Sequence, residues 1–300
     1  MKIGVSTSLA RPGEGVVEVM RRAAEAGFDC FELGVLPRRK DVEEIGRACE
    51  ANRWTVLSVH NVVLNERLEK NDIWGDLLSS TDEKLRLEAV EDLRRTLEVA
   101  ERLGAFAVVV HGGVVPIPGD WRTRYNALYR AVDEHDEEAR AEMLRERKRR
   151  ALPALEATAR SLEEILRRDS VVRLALESRN FYDQIPSPDE LAWIFRRFDT
   201  DRLAYWHDTG HARLTELVGL AKEGEWLSEF ADRLVGIHLH DMRRWRDHLP
   251  IGHGNMDFAA ILSRLGDSFL PIIEPNEEWS GEELLSSARY LSTLGFGEFA

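Results

Sequence analysis

Polar side chains able to bind a metal ion or move a proton recur at the ends of short apolar runs in the sequence. Carboxylates and imidazoles serve both as general acids and bases and as ligands of divalent ions. An acid that follows several apolar residues is costly to bury in its ionised form unless a partner neutralises it. A cation shared among several such acids would do so, and pairing with a base such as Arg179 is the structural alternative. These strand-end residues are Glu32, His60, His111, Glu177, Asp208, His238, His240 and Glu274.

The most informative local spacings surround one aspartate and a pair of histidines. Asp208 and His211 lie three residues apart and straddle a glycine, so that one can bind a metal ion while the other faces a bound ligand. His238 and His240 lie two residues apart, which places both on one face of a strand, with Asp241 able to orient an imidazole. Such mixed nitrogen and oxygen donors suit one divalent ion, either Mn²⁺, Zn²⁺, Co²⁺ or Mg²⁺.

Eight apolar runs rich in β-branched residues alternate with helical patterns. This alternation is typical of βαβ units and predicts an α/β protein with a parallel sheet. Closure into a (β/α)₈ TIM barrel would gather the carboxyl ends of the strands, where barrels of this kind build their sites. The predicted strands are Lys2–Thr7, Phe28–Leu33, Val56–His60, Phe106–His111, Val171–Glu177, Leu203–Asp208, Leu234–His240 and Phe269–Glu274.

Apolar residues at three- and four-residue intervals predict helices between the strands. Ser187 and Ser280 are each followed by acids, and so provide caps and first-turn charges for two of them. Between the fourth and fifth strands, the long charged segment from Trp121 to Asp169 predicts an extra helical excursion. The other predicted helices are Gly15–Ala26, Val42–Ala51, Thr81–Leu103, Pro188–Phe198, Thr215–Leu234 and Gly281–Leu294.

Composition and charge limit the classes of function. A chain of 300 residues, 43% of them hydrophobic, can form one barrel domain, which we expect to span residues 1–300. The formal net charge of −13 disfavours a nucleic acid partner. The first residues include no long apolar stretch or small-residue cleavage site, and no later run approaches membrane-spanning length. Cys30 and Cys49 are too few for a disulfide framework. We therefore expect a cytoplasmic protein with a small-molecule partner, and a homo-oligomer is left open.

With these motifs, the whole chain resembles the xylose isomerase-like barrel superfamily, which includes sugar isomerases, ketose 3-epimerases and the apurinic endonuclease family. The most specific pieces are Glu177, Glu274, the turn 208–211 and the segments 238–241 and 247–254. The resemblance implies a divalent-metal-dependent isomerase or epimerase of a sugar or sugar derivative. In the epimerase-like members, the matching positions make the metal shell Glu177, Asp208, His238 and Glu274.

The chemistry that this resemblance implies is proton transfer at carbon. The metal ion would bind two neighbouring oxygens of the sugar and lower the cost of an enediolate as a carbon-bound proton leaves. Glu177 and Glu274 would flank the reacting carbon as proton donor and acceptor. Arg244, in a basic stretch after the seventh strand, is expected to bind a substrate hydroxyl, carboxylate or phosphate. The other expected substrate-binding residues are His60, His111, His211 and His240.

A zinc-dependent phosphodiesterase similar to the apurinic endonucleases is the main alternative. His60 and His111 match histidines that bind additional zinc in that branch, so an additional zinc ion at this pair is left open. The nuclease pattern expects an aspartate two residues before His248, where this chain has Arg246, with Asp247 displaced by one. The acidic net charge also weighs against this alternative.

Two further alternatives are other metal-assisted polyol chemistry, such as that of a dehydratase or lyase, and a non-catalytic sugar-binding barrel. The retained metal shell argues against a loss of catalysis. The segment after the fourth strand would cover the site or contact another subunit. One or two tryptophans are expected to stack on a sugar ring. The candidates are Trp54, Trp74, Trp121, Trp206 and Trp245.

Overall fold

The structure, a computed structural model, describes residues 1–34, 41–61, 76–117 and 137–299. Eight strands in this part of the chain close into a parallel barrel, in which each strand pairs with the next along the sequence and the last pairs with the first. This closure confirms the predicted (β/α)₈ TIM barrel. The barrel strands are β1 Gly4–Ser6, β2 Cys30–Leu33, β3 Thr55–His60, β4 Ala107–Val110, β5 Arg173–Glu177, β6 Leu203–Asp208, β7 Leu234–Leu239 and β8 Leu270–Ile273.

Several strands are shorter than the apolar runs that predicted them. β1 ends at Ser6 because the hydroxyl of that residue accepts a hydrogen bond from the backbone N–H of Ser8 and caps a short 3₁₀ turn. His111, His240 and Glu274, which were predicted to end strands, lie one residue beyond β4, β7 and β8. They therefore stay at the carboxyl rim of the barrel, where the backbone leaves the sheet.

Helices connect the strands around the outside of the barrel. Ser187 and Ser280 each accept a hydrogen bond from the backbone N–H of the glutamate three residues later, which confirms both predicted caps. The helices in the described residues are α1 Val16–Glu25, α2 Val42–Asn52, α3 Glu83–Leu103, α4 Glu137–Leu166, α5 Pro188–Arg197, α6 Thr209–Leu217, α7 Glu225–Phe230, α8 Phe258–Leu262 and α9 Gly281–Leu294.

The predicted single helix Thr215–Leu234 is wrong. α6 begins earlier, directly after β6, and ends at Leu217. Gly219 and Gly224 follow with φ angles of 79° and 70°, a left-handed conformation that interrupts a helix and that glycine adopts at no steric cost. α7 and a 3₁₀ turn then lead to Leu234, which is the first residue of β7.

The long segment between β4 and β5 contains α4, a helix of 30 residues. Arg147 of α4 donates to both carboxylate oxygens of Glu190 in α5, each at 2.7 Å, and both side chains are buried. The predicted excursion begins at Trp121, and its first part, residues 121–136, lies outside the described residues.

Apolar side chains fill the barrel and form a floor beneath its carboxyl end. Trp206 is fully buried inside the barrel against Gly236, where an added Cβ would lie 2.2 Å from the indole ring. The Trp206 ring lies 5.0 Å from the ring of His238, measured between centroids. The polar rim thus rests directly on packed apolar side chains. Among the described helices, none has the length and apolar character required to span a bilayer.

Candidate metal centre

Four side chains from successive strands converge at the carboxyl end of the barrel. Glu177 ends β5, Asp208 ends β6, and Glu274 directly follows β8. His238, near the end of β7, pairs in register with Asp208 on one side and Ile272 on the other. One ligand atom from each of the four side chains lies within 4.8 Å of the others. The structure thus brings together the four residues that the sequence predicted as a metal shell.

The imidazole of His238 lies at the centre of this cluster. Its Nδ1 is 2.9 Å from Glu177 Oε1, 3.2 Å from Glu274 Oε2 and 3.6 Å from Asp208 Oδ2. Burial by itself would lower the pKa of His238, but the surrounding carboxylates, first of all Glu274, outweigh burial and hold this pKa well above its ordinary value. The buried carboxylates around His238 therefore stabilise the protonated form of its imidazole.

The donor set fits a divalent ion. Carboxylate oxygens and one imidazole nitrogen are ligands that Mn²⁺, Zn²⁺ and Co²⁺ accept in proteins. Glu274 Oε2 is buried and makes no hydrogen bond of regular geometry, and the imidazoles of His238 and His248 lie 3.2 and 3.5 Å from it. An ion held by these four residues would give this oxygen a direct partner.

Glu32 is a functional candidate to which the sequence assigned no role. Its carboxylate oxygens lie 2.9 and 3.0 Å from His238 Nε2, on the side of the ring opposite the cluster, and Ser58 Oγ donates to it at 2.8 Å. A carboxylate in this position fixes the orientation of a metal-ligating histidine. The signal that could have found it was present, because Glu32 follows the same strand-end pattern as the predicted ligands.

His60 and His111 form a second group around the other oxygen of Glu177. Their Nε2 atoms lie 3.9 and 3.2 Å from Glu177 Oε2, and Arg179 donates a hydrogen bond to the same oxygen. Burial, and then the charge of Arg179, lower the pKa of His111 to about 3. Burial would raise the pKa of Glu177, but Arg179 and the imidazoles hold it well below its usual value. Glu177 is therefore ionised at neutral pH.

A third group surrounds Asp208. His240 Nε2 lies 3.0 Å from Asp208 Oδ1, and the backbone N–H of His211 donates to the same oxygen at 2.7 Å. His240 Nδ1 accepts a hydrogen bond from the backbone N–H of His248 at 2.9 Å, so its Nε2 carries the proton that is donated to Asp208. The structure thus brings His211 and His240 to the rim, and His240 orients Asp208 in this arrangement.

The hypothesis that Asp241 orients an imidazole is wrong. Its carboxylate accepts backbone N–H groups from Gly252, Gly254 and Met256, at 2.8 to 3.0 Å, and also from the following residue. Asp241 therefore closes the loop 252–256 instead. Its neighbour in the sequence, His240, obtains its orientation from the backbone of the adjacent hairpin, as described above.

Arg244 lies apart from the buried cluster. It occupies the exposed turn of an antiparallel hairpin, Asp241–Arg243 with Arg246–Leu249, and has a φ angle of 56°. Arg246, on the same hairpin, pairs with exposed Glu278 at 3.2 Å, as expected for a surface arginine. A substrate-binding role for Arg244 stays a prediction.

The candidate tryptophans occupy different environments. Trp206 is part of the barrel interior, and Trp54 packs against Phe31 with ring centroids 5.3 Å apart. Trp245 is 43% exposed on the hairpin next to Arg244. Trp74 and Trp121 lie outside the described residues. Of the tryptophans that the structure describes, Trp245 is therefore the one that presents its ring to solvent near the rim.

Comparisons with known proteins identify relatives in sequence and in fold. The model of the family described as xylose isomerase-like TIM barrel matches residues 20–287. The uncharacterized protein MJ1311 of Methanocaldococcus jannaschii is 26% identical over 279 residues, covering 88% of this chain and 79% of the relative. A crystal structure of a D-tagatose 3-epimerase-like protein has a TM-score of 0.71 at 22% identity, covering 98% of this chain and 97% of that chain. The family 2 AP endonuclease of Brucella melitensis has a TM-score of 0.64 at 13% identity, covering 97% and 98%. At these identities, the structural likenesses show the fold.

Proposed function

Because the chain belongs to the xylose isomerase-like TIM barrel family, we propose that it is a divalent-metal-dependent isomerase or epimerase of a sugar or sugar derivative. The observation that carries this proposal is the convergence of Glu177, Asp208, His238 and Glu274 within 4.8 Å of one another. The likeness to a D-tagatose 3-epimerase-like protein and to an L-ribulose 3-epimerase favours a ketose as substrate.

The four converging residues would hold the ion. When bound, the ion supplies Lewis acidity that stabilises negative charge on neighbouring sugar oxygens as an enediolate forms. Glu177 and Glu274 are the carboxylates that exchange the carbon-bound proton. The pKa of each is held below its usual value, in Glu274 because His238 and His248 outweigh burial, so both are ionised and able to accept a proton.

Neighbouring side chains would orient the sugar and keep water away from the reacting carbon. His211 faces the cluster from α6, with its Nδ1 3.8 Å from Glu177 Oε1, and is placed to steady a substrate oxygen. His60 and His111 lie on the opposite side of Glu177. Arg244 and Trp245 lie in the exposed turn of the hairpin that follows β7, so we assign them to the outer end of the substrate.

Solvent deuterium exchange tests the proposed reaction. The protein, reconstituted with Mn²⁺, is incubated in D₂O with a panel of ketoses and their phosphates, and NMR records deuterium at the carbons next to the carbonyl. We expect exchange at one carbon, and its loss in Glu177→Gln and in Glu274→Gln. Glu278→Gln is the matched control, since Glu278 is an exposed acid on the same side of the barrel that pairs with Arg246. Unaltered exchange in both site variants would exclude the assigned proton transfer.

Phosphodiester cleavage is the second candidate function. The observation that favours it is the group His60, His111 and Glu177, which could hold an additional zinc ion and which accompanies the main cluster. The net charge of −13 opposes binding of a polyanion. Cleavage of a duplex oligonucleotide with one abasic site, in the presence of Zn²⁺, tests this alternative directly. Strand cleavage that is lost in His111→Ala would favour it over sugar chemistry.

A further inference from the structure

The two oxygens of Glu177 face different neighbours. Oε1 lies 2.9 Å from His238 Nδ1, within the cluster proposed to bind the metal ion. Oε2 points the other way, toward His60 and His111, whose Nε2 atoms lie 3.9 and 3.2 Å away. A carboxylate in this position could bridge two cations, one through each oxygen.

Arg179 already occupies the second of these two positions. It lies two residues beyond the end of β5, its side chain is 10% exposed, and its guanidinium donates to Glu177 Oε2. The Nε of Arg179 is buried and has no hydrogen-bond partner, so the side chain is enclosed by protein rather than extended into solvent. A guanidinium keeps its positive charge at any physiological pH.

We propose that Arg179 takes the place of a second metal ion beside His60 and His111, so that Glu177 binds one divalent ion, through Oε1, instead of bridging two. The inference rests on the metal cluster of the proposed function. A fixed positive charge bonded to Oε2 removes the one anionic ligand of the second group and repels an incoming cation, and repulsion is strong where water is excluded. His60 and His111 are then left to contact the substrate.

The number of bound metal ions distinguishes the two candidate reactions. Two adjacent metal ions stabilise both the attacking and the leaving oxygen in phosphodiester cleavage, whereas a proton transfer next to a carbonyl needs a single Lewis acid. Arg179 thus acts as a residue that determines which reaction the barrel supports. The sequence alone shows only that Arg179 lies two residues after Glu177.

Counting metal ions on the full-length chain tests this inference without any substrate. Apoprotein is dialysed against excess CoCl₂, cobalt per chain is measured by mass spectrometry, and visible absorption reports the coordination of each ion. We expect one ion on the wild type and two on Arg179→Met, because the variant frees Glu177 Oε2. Arg179→Met combined with His60→Ala is expected to return to one ion, which places the second ion at the histidine pair.

Matched variants control for charge and folding. Arg179→Lys keeps the charge and is expected to hold one ion, as is Arg246→Met, which removes an exposed arginine from the hairpin. If Arg179→Met does not fold, as judged by circular dichroism, Arg179→Gln provides the same comparison. A third group, Asp208, His211, His240 and His248, could hold an ion of its own, so two ions on the wild type overturn the inference if His60→Ala removes one of them. One ion on a folded neutral variant would also overturn it. The wild type could bind one ion and Arg179→Met two, while no ketose exchanges deuterium. That result would refute the proposed reaction but would still support the role of Arg179.

Discussion

Glu32 provides a sharp test of the metal centre, because it can be changed without altering any atom of the proposed ligands. Its side chain is fully buried, and its carboxylate lies 2.9 to 3.0 Å from His238 Nε2. In Glu32→Gln, the amide oxygen can still accept the Nε2 proton, and the amide nitrogen can donate to the hydroxyl of Ser58. The substitution therefore removes a negative charge while the size and the number of hydrogen bonds are kept.

The expected loss follows from the kind of hydrogen bond that is replaced. A hydrogen bond to a charged group contributes about 1.5–3 kcal/mol, and a neutral one about 0.5–1.5 kcal/mol. The difference of roughly 1–1.5 kcal/mol corresponds to about tenfold weaker metal binding. This value lies at the lower end of the range of about 10- to 100-fold seen when the outer partner of a ligating histidine is removed.

Isothermal titration of the apoprotein with Mn²⁺ measures this loss. The comparison includes Glu177→Gln, which removes a proposed ligand and is expected to abolish binding, and Glu50→Gln, an exposed acid on α2 that is expected to leave binding unchanged. Affinity of Glu32→Gln within twofold of the wild type, while Glu177→Gln loses binding, would show that the carboxylate of Glu32 does not act through His238. Thermal unfolding of each apoprotein separates a loss of affinity from a loss of folding.

Three further predictions concern packing and buried charge. Arg147→Met leaves the buried carboxylate of Glu190 without its bidentate partner, and we expect the free energy of unfolding in urea to fall by about 3–5 kcal/mol. Gly210→Ala places a Cβ 2.3 Å from Cε1 of His240, so we expect a loss of about 1–3 kcal/mol in the same assay and weaker Mn²⁺ binding. Burial lowers the pKa of His207 from its ordinary value of 6.5 to about 4. As the pH falls, the unfolded chain therefore takes up a proton at this residue before the folded chain does. The stability that neutral His207 contributes is fully present above pH 6.5 and is lost toward pH 4. The difference in unfolding free energy between the wild type and His207→Asn should therefore shrink by up to about 3 kcal/mol from pH 7 to pH 4.

Matched controls exist for the first two of these changes. Arg150→Met breaks a partly exposed pair with Glu146 and is expected to cost less than about 1 kcal/mol. Gly266→Ala adds a Cβ with no neighbour within 4 Å, so metal binding should be unchanged. Equal effects of a control and its partner variant would contradict the corresponding argument.

The barrel and the convergence of its rim could be predicted because both depend on short-range patterns. Each strand is a run of apolar residues bounded by polar ones, and closure of a parallel sheet places all carboxyl ends together whatever the details of packing. Glu177 and Asp208 were therefore placed at the correct strand ends, and Glu274 one residue from its strand end, without any knowledge of distances. The observed strands begin within two residues and end within one residue of the predicted boundaries.

Other features depend on the conformation of turns and loops. The break after α6 requires two glycines in a left-handed conformation, whereas glycine within a helical pattern is compatible with either outcome. Asp241 was assigned to an imidazole because it follows His240, but the loop 252–256 folds back and offers it several backbone donors. Such contacts depend on the path of a loop, which periodicity does not determine.

Glu177 shows why the two sequence interpretations of a buried strand-end acid need not exclude each other. Pairing with a metal cation and pairing with Arg179 were alternatives for one residue, yet a carboxylate has two oxygens. Oε2 accepts from Arg179, and Oε1 faces His238 at the position where the proposed ion would bind. Both oxygens are engaged in a site that excludes water, so rotation of the carboxylate would break two charged contacts at once. Glu177 is consequently both ionised and fixed in direction. These are the two properties that a residue must combine if it is to hold a metal ion and accept a proton from a carbon positioned beside it.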